Sequence, residues 1–213
     1  MKIDLDELGN RRFLIVSHRT PPDGDFSLND LPGSGGRVDI IARFITSSLL
    51  ASNSIRRDAS AAVYFAGGVG KHVAVIISGR SVKYLNPDER STSALLRNAL
   101  VRSRKELEGV SSPGVYFIVC GLSELAEIMI RGCSVYLLKE NGESTGPEIP
   151  GLYVVGDIQD ISEAEENAFS SGSLSKVSIS KYSLQSDQCA VIVNWLLDNR
   201  SRGAAALDSR PSY

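Results

Sequence analysis

A chain of 213 residues with 42% hydrophobic content carries enough apolar side chains for one sizeable core or two closely packed ones. The absence of any apolar run of about eighteen residues excludes a transmembrane helix, and the acidic start MKIDLDELGNRR lacks the basic-then-apolar layout of a secretion signal, so a cytoplasmic globular protein is expected. The net charge of −2 hides an asymmetry: Met1 to Arg104 hold 15 Lys/Arg against 10 Asp/Glu, a balance of +5, whereas Lys105 to Tyr213 hold 8 against 15, a balance of −7. A phosphate backbone responds to local field over a screening length of roughly 8 Å, so overall acidity does not exclude RNA.

Along the chain, Phe13 to Val16 is a short apolar run after two arginines and predicts a buried strand. His18 to Gly36 is too polar and too broken by Pro and Gly for regular structure, and a loop of that length in a compact domain is usually functional or disordered. From Arg37 to about Asn53, Val38, Ile41, Ala42, Ile45 and Leu49 fall on one helical face. Strands are predicted at Ala61 to Phe65 and His72 to Ile77, joined hairpin-fashion by Gly67 to Gly70. Asn86-Pro87-Asp88-Glu89 reads as a helix start continuing to Arg104, and Ser111 to Gly114 as a break.

The second half alternates: strand Val115 to Val119, helix Leu122 to Arg131, strand Ser134 to Leu138, a turn-rich stretch Asn141 to Gly151 and strand Leu152 to Val155. A helix at Ser162 to Phe169, a strand at Val177 to Ile179, a helix at Gln185 to Leu197 and a frayed polar tail from Arg200 complete it. The alternation predicts an α/β fold, a mostly parallel sheet with helices on both faces.

Several attractive patterns lead nowhere. Gly67-Gly68-Val69-Gly70-Lys71 lacks the GxxxxGK[ST] spacing of a phosphate loop and precedes a strand where a helix is required. His18 and His72 are the only histidines, and Cys120, Cys133 and Cys189 lie far apart beside apolar stretches, so no metal site is expected and the thiols are expected reduced. No GxSxG elbow occurs. What remains are three polar stretches after strands: Leu137 to Gly142, Val154 to Asp157, and Val177 to Leu184. Ligands of open parallel sheets sit beyond the carboxyl ends of strands, although any α/β protein has such turns.

The segment Ser27 to Asp58, SLNDLPGSGGRVDIIARFITSSLLASNSIRRD, closely resembles the archaeal tRNA pseudouridine-54 N1-methyltransferases. Asn86 to Ser91 (NPDERS) and Ser183 to Cys189 (SLQSDQC) resemble that family's second and C-terminal landmarks, so the likeness extends from Phe13 to about Leu197. The family belongs to the SPOUT methyltransferases, so the resemblance implies a C-terminal trefoil knot, which rests on the likeness alone because knotted chains are rare. It implies one domain over 1–213, with an RNA-facing part at about 11–104, a knotted cofactor-binding part at about 115–198 and a tail at 200–213. It further implies a homodimer that binds S-adenosylmethionine and tRNA.

Carried over position by position, Leu138, Gly156, Ser178, Ile179, Ser180, Lys181, Tyr182, Ser183 and Cys189 look like cofactor contacts. Ser180-Lys181 departs from the Gly-Pro common in the third loop, and the Lys181 side chain is expected to point away from a sulfonium cation. Pseudouridine N1 must lose a proton before attacking a methyl group, and Asp30 matches the position of the base or of a group that orients it. Asp30 as an ordinary turn residue is the plain alternative, with Asp23, Asp25 and Asn29 as neighbouring competitors. Arg37, Arg56, Arg57, Arg80 and Arg90 are candidate RNA-backbone contacts, against a structural role for Arg37 with Asp39 and a solvated basic face for the rest. A SPOUT enzyme acting on rRNA pseudouridine and a non-catalytic RNA-binding or ribosome-assembly factor are the competing functions.

Overall fold

The computed structural model describes residues 3–52, 54–68, 70–143 and 150–208, with side chains up to 199. Helix α1 (Leu5–Leu8) precedes strand β1 (Arg11–Ser17), and no regular element intervenes before α2 (Val38–Leu49). A small hairpin of β2 (Leu50–Ala51) and β3 (Ser54–Ile55) follows, then β4 (Ala59–Phe65), β5 (Val73–Ser78), α3 (Glu89–Ser103), β6 (Glu108–Ser112), β7 (Val115–Val119) and α4 (Leu122–Ile130). The C-terminal part comprises β8 (Val135–Glu143), β9 (Leu152–Gly156), α5 (Glu163–Glu166) with a 3-10 turn at Asn167–Phe169, β10 (Leu174–Val177) and α6 (Ser186–Asp208).

Among the described residues, eight strands form one sheet in the order β10-β8-β9-β1-β4-β5-β7-β6. The half from β10 to β4 is parallel, and β5, β7 and β6 pair antiparallel. The antiparallel edge arises because β4–β5 and β6–β7 are hairpins, whereas the parallel neighbours β1 and β4 are joined through α2, which returns the chain to the same end of the sheet. Alternation along β1 sends Phe13 and Ile15 to the core beneath α2, α3 and α6, and Leu14 and Val16 to the core beneath α1 and α4. The two arginines ahead of that run split likewise. Arg11 bonds Asn194 and Asp198 of α6, while Arg12 donates to the Met129 and Arg131 carbonyls at the end of α4, where helix carbonyls lack intrahelical partners.

Several sequence expectations shift. The helix from Arg37 ends at Leu49 and not near Asn53, because β2 and β3 take the chain back. Glu108–Ser112, too exposed and polar to read as a strand, pairs with β7, so Ser111 to Gly114 includes the turn of a hairpin. Strand β8 continues to Glu143, and the last strand is Leu174–Val177, leaving Ser178 and Ile179 in the loop beyond it. The final helix runs to Asp208, past the expected end at Leu197; within the tail, 209–213 lie outside the described residues, as do Val69 of the hairpin turn and 144–149 of the turn-rich stretch.

Candidate functional site

At the carboxyl ends of β8, β9 and β10 the three loops meet around a cleft of about 770 Å³. Its walls are Leu138 to Glu140 of β8, Val155 to Asp160 after β9, and Val177 to Ser180 after β10. Tyr182 to Ser186 with Gln188 and Cys189 close it at the head of α6, and Arg37 and Ile40 roof it from α2. The volume falls within the roughly 300–1,000 Å³ of ordinary small-molecule sites.

Backbone crowding fixes the loop after β9. A Cβ on Gly156 would lie 1.9 Å from the Gln159 carbonyl oxygen, so the chain closes this turn only with glycine. The buried Ser186 hydroxyl donates to the Gly156 carbonyl at 2.8 Å and joins this loop to α6. In the third loop the Ser178 hydroxyl donates to the Ser180 carbonyl, and the Tyr182 amide to the Ser180 hydroxyl, both at 3.0 Å. The Cys189 thiol is pushed up to about 11 by burial, reinforced by the neighbouring Asp187 charge, so it packs as a neutral group and is a poor nucleophile at neutral pH.

His18, the first residue beyond β1, fastens the floor. Its backbone amide donates to Asp157 Oδ2 at 2.9 Å, its Nδ1 lies 3.0 Å from Asp157 Oδ1 and its Nε2 lies 3.0 Å from Glu165 Oε1. Two acceptor-only carboxylates flanking one ring require an N–H on each nitrogen, which is the imidazolium form. The hydrogen bond to Asp157, aided by the nearby carboxylate charges and opposed by burial, accordingly holds His18 above the usual imidazole range. Burial works against ionisation of Asp157, but the His18 ring and amide and the Gln159 amide outweigh it and hold the carboxyl below its ordinary value. Glu165 also caps α5 through the Ser162 amide and hydroxyl, so one imidazole links β1, the cleft loop and a helix cap.

The cleft thus gathers Leu138, Gly156, Ser178, Ile179, Ser180, Tyr182, Ser183 and Cys189, while Lys181 is absent from its lining and sets its ammonium 4.9 Å from the Tyr182 ring centroid. Of the five arginines only Arg37 lines it. Arg37 occupies the left-handed region (φ 73°) ahead of α2 and donates from Nε and Nη2 to the two oxygens of buried Asp39, each at 3.0 Å. Arg43 extends that pair to Glu89 of α3 at 2.8 Å and to Asp187 of α6 at 3.8 Å. Arg56 grips Asp198 with both nitrogens at 2.9 and 2.7 Å, and Arg57 donates to the Gly79 and Arg80 carbonyls, so both guanidiniums hold the fold. Arg80 forms an exposed pair with Asp6 at 3.3 Å, and Arg90 is exposed.

Asp30 stands outside the lining. Its oxygens accept the Gly33 and Ser34 amides, each at 3.0 Å, the geometry of an ordinary turn residue. Asp157 and His18 were missed: the sequence shows a Gly-Asp pair after a strand, but nothing in it reveals that a histidine 139 residues away meets that aspartate. Among the described residues no group of three His, Cys, Asp or Glu could hold a metal ion, and no helix is long and apolar enough to cross a membrane.

A parallel half-sheet whose strand ends open into a cleft walled by polar turns defines an α/β protein built to take a small, largely polar ligand. Residues 10–202 match the family described as "Putative SAM-dependent RNA methyltransferase", and the chain belongs to that family. It is 38% identical over 193 residues to the tRNA (pseudouridine(54)-N(1))-methyltransferase of Methanocella arvoryzae, covering 89% of this chain and 100% of that relative. It is 34% identical to the protein of the same name from Methanococcoides burtonii, over 91% of this chain and 98% of the relative. The fold is shared with the crystal structure of Archaeoglobus fulgidus Nep1 bound to S-adenosylhomocysteine, with a TM-score of 0.63 at 14% identity, covering 90% of this chain and 99% of that one.

Proposed function

We propose that this chain transfers a methyl group from S-adenosylmethionine to N1 of pseudouridine 54 in the T-loop of tRNA. The observation that carries the reading is the cleft built by the loops after β8, β9 and β10 in a chain that spans the whole of a relative bearing that name. Leu138, Gly156, Ser178, Ile179, Ser180, Tyr182, Ser183 and Cys189 would hold the cofactor, and Lys181 is set aside.

The cleft suits a sulfonium cation. Its lining cations are already matched, Arg37 by Asp39, and Lys139 by Glu166 at 3.0 Å and the Ile161 carbonyl at 2.5 Å. When bound, the cofactor supplies an electrophilic methyl, and the chain's part is to position the base and remove its N1 proton. Asp30 is proposed as the proton acceptor or the group that orients it. Each of its oxygens keeps a second lone-pair site beyond the bond to Gly33 or Ser34, and its loop leads into cleft-lining Arg37. Asp30→Asn should lower kcat while leaving the affinity for S-adenosylhomocysteine unchanged; unaltered kcat would remove Asp30 from the mechanism.

The same reading includes a cytoplasmic homodimer with a knotted C-terminus. Val191 and Trp195, one turn apart on α6, are 53% and 62% exposed, which favours a partner on that face. The knot rests on the family likeness; α6 leaves edge strand β10 and packs on α2, a path compatible with it. Methyl transfer assayed on tRNA and on small-subunit rRNA fragments, both containing pseudouridine, tests the substrate. Transfer to tRNA supports the reading, transfer only to rRNA overturns it, and RNA binding without any affinity for S-adenosylmethionine overturns the enzyme itself.

A further inference from the structure

Helix α3 carries Arg90 at its start, Arg97 in its middle and Arg104 at its C-cap. Seven-residue steps bring these to nearly the same helical face at intervals of about 10.5 Å, a line of about 21 Å. Arg97 and Arg104 also line, with Arg102, a second groove of about 630 Å³ between Gly24 to Phe26 of the long loop and Ser111 of β6. Among the described residues neither Arg90, Arg97 nor Arg104 has a carboxylate within 4.0 Å, and the Arg104 guanidinium donates to a neutral carbonyl, that of Asp23, at 2.7 Å. Arg102 is partly matched by Glu106 at 3.4 Å, and Asp25 is the acid in the groove wall.

This charge is placed with respect to the site. Glu89, at the head of α3, bonds Arg43, which shares Asp39 with cleft-lining Arg37, so the line begins beside the cleft and runs away from it. We infer that the face of α3 bearing Arg90, Arg97 and Arg104 is a phosphate track that seats the backbone of the RNA substrate outside the cleft. A row of unmatched guanidiniums fits a partner with regularly repeated anions, and guanidinium forks bind phosphate bidentately. The track positions without reading bases.

The inference rests on the tRNA reading, and the test separates the two. Binding of a pseudouridine-containing tRNA transcript to wild type, Arg97→Glu/Arg104→Glu and Arg97→Gln/Arg104→Gln would be followed by anisotropy from 0.1 to 1 M salt. Loss of two phosphate contacts lowers the log–log salt slope by about 1.4 to 1.8, equivalent to about 25- to 60-fold weaker binding at 0.1 M. S-adenosylhomocysteine affinity, measured by calorimetry, reports that the variants are folded. Unchanged tRNA affinity and slope in both folded variants overturns the track while wild-type methylation of tRNA upholds the substrate. A wild type that binds only rRNA fragments, with the slope still reduced in the variants, overturns the tRNA reading and keeps the track. Preference of wild type for an acidic peptide over RNA of equal charge overturns it in favour of a protein partner.

Discussion

Replacing His18 with glutamine should weaken S-adenosylhomocysteine binding and remove most of its pH dependence between pH 6 and 9. The substituted side chain leaves the backbone bond to Asp157 in place but cannot carry charge, so it abolishes the ion pairs to the nearly buried Asp157, whose side chain is 3% exposed, and to Glu165. Hydrogen bonds to charged groups contribute about 1.5–3 kcal/mol each. Asp157 retains the amides of residue 18 and Gln159, which argues for the lower part of that range. A loss of about 2 kcal/mol, if localised in the loop that forms the cleft floor, corresponds to about 30-fold in affinity. Because His18 is held above its unfolded value near 6.5, its contribution is complete below that pH and is lost as pH rises through the higher folded value. Wild-type affinity should therefore fall on the alkaline side while that of the variant stays flat over the same range. Calorimetry at half-unit pH intervals measures both curves; parallel curves for the two proteins would refute the charged-clamp argument.

Gly156→Ala should abolish detectable cofactor binding with little change in secondary structure, since its methyl would meet the Gln159 carbonyl and force open a turn lining the cleft; circular dichroism and calorimetry read the two effects. Arg56→Met should lower stability by about 1–2 kcal/mol, or roughly 2–8 °C in Tm for a chain this long, while leaving tRNA affinity within about twofold, because the guanidinium is committed to Asp198. A tenfold loss of tRNA affinity without a stability change would return Arg56 to the RNA surface. Val191→Glu/Trp195→Glu should convert a dimer to a monomer in light scattering, and an unchanged mass would move the interface elsewhere.

Local pattern carried much of this protein. The run Phe13 to Val16, the helical face from Val38 to Leu49 and the hairpin around Gly67 were legible because their periodicity and turn chemistry depend on near neighbours. The polar β6 was not legible, because its strand conformation comes from pairing with β7 and not from its own residues. The three loops after strands were visible as polar stretches, yet their convergence on one cleft depends on the strand order β10-β8-β9, and pairings between distant segments leave little trace in local composition.

The distinction is sharpest for charged residues. The sequence by itself determined a basic N-terminal half, an α/β alternation and the landmark segments that resemble one enzyme family. Only the tertiary structure decided which arginines are committed to the fold and which are left to face outward. Arg56 meets Asp198 across 142 residues, whereas Arg97 and Arg104 face a groove. It also decided that His18, unremarkable in a loop, is held between Asp157 and Glu165. The physical reason is the same in each case: an ionisable side chain takes its role from the charges and solvent around it, and those are set by segments the chain brings together only when it folds.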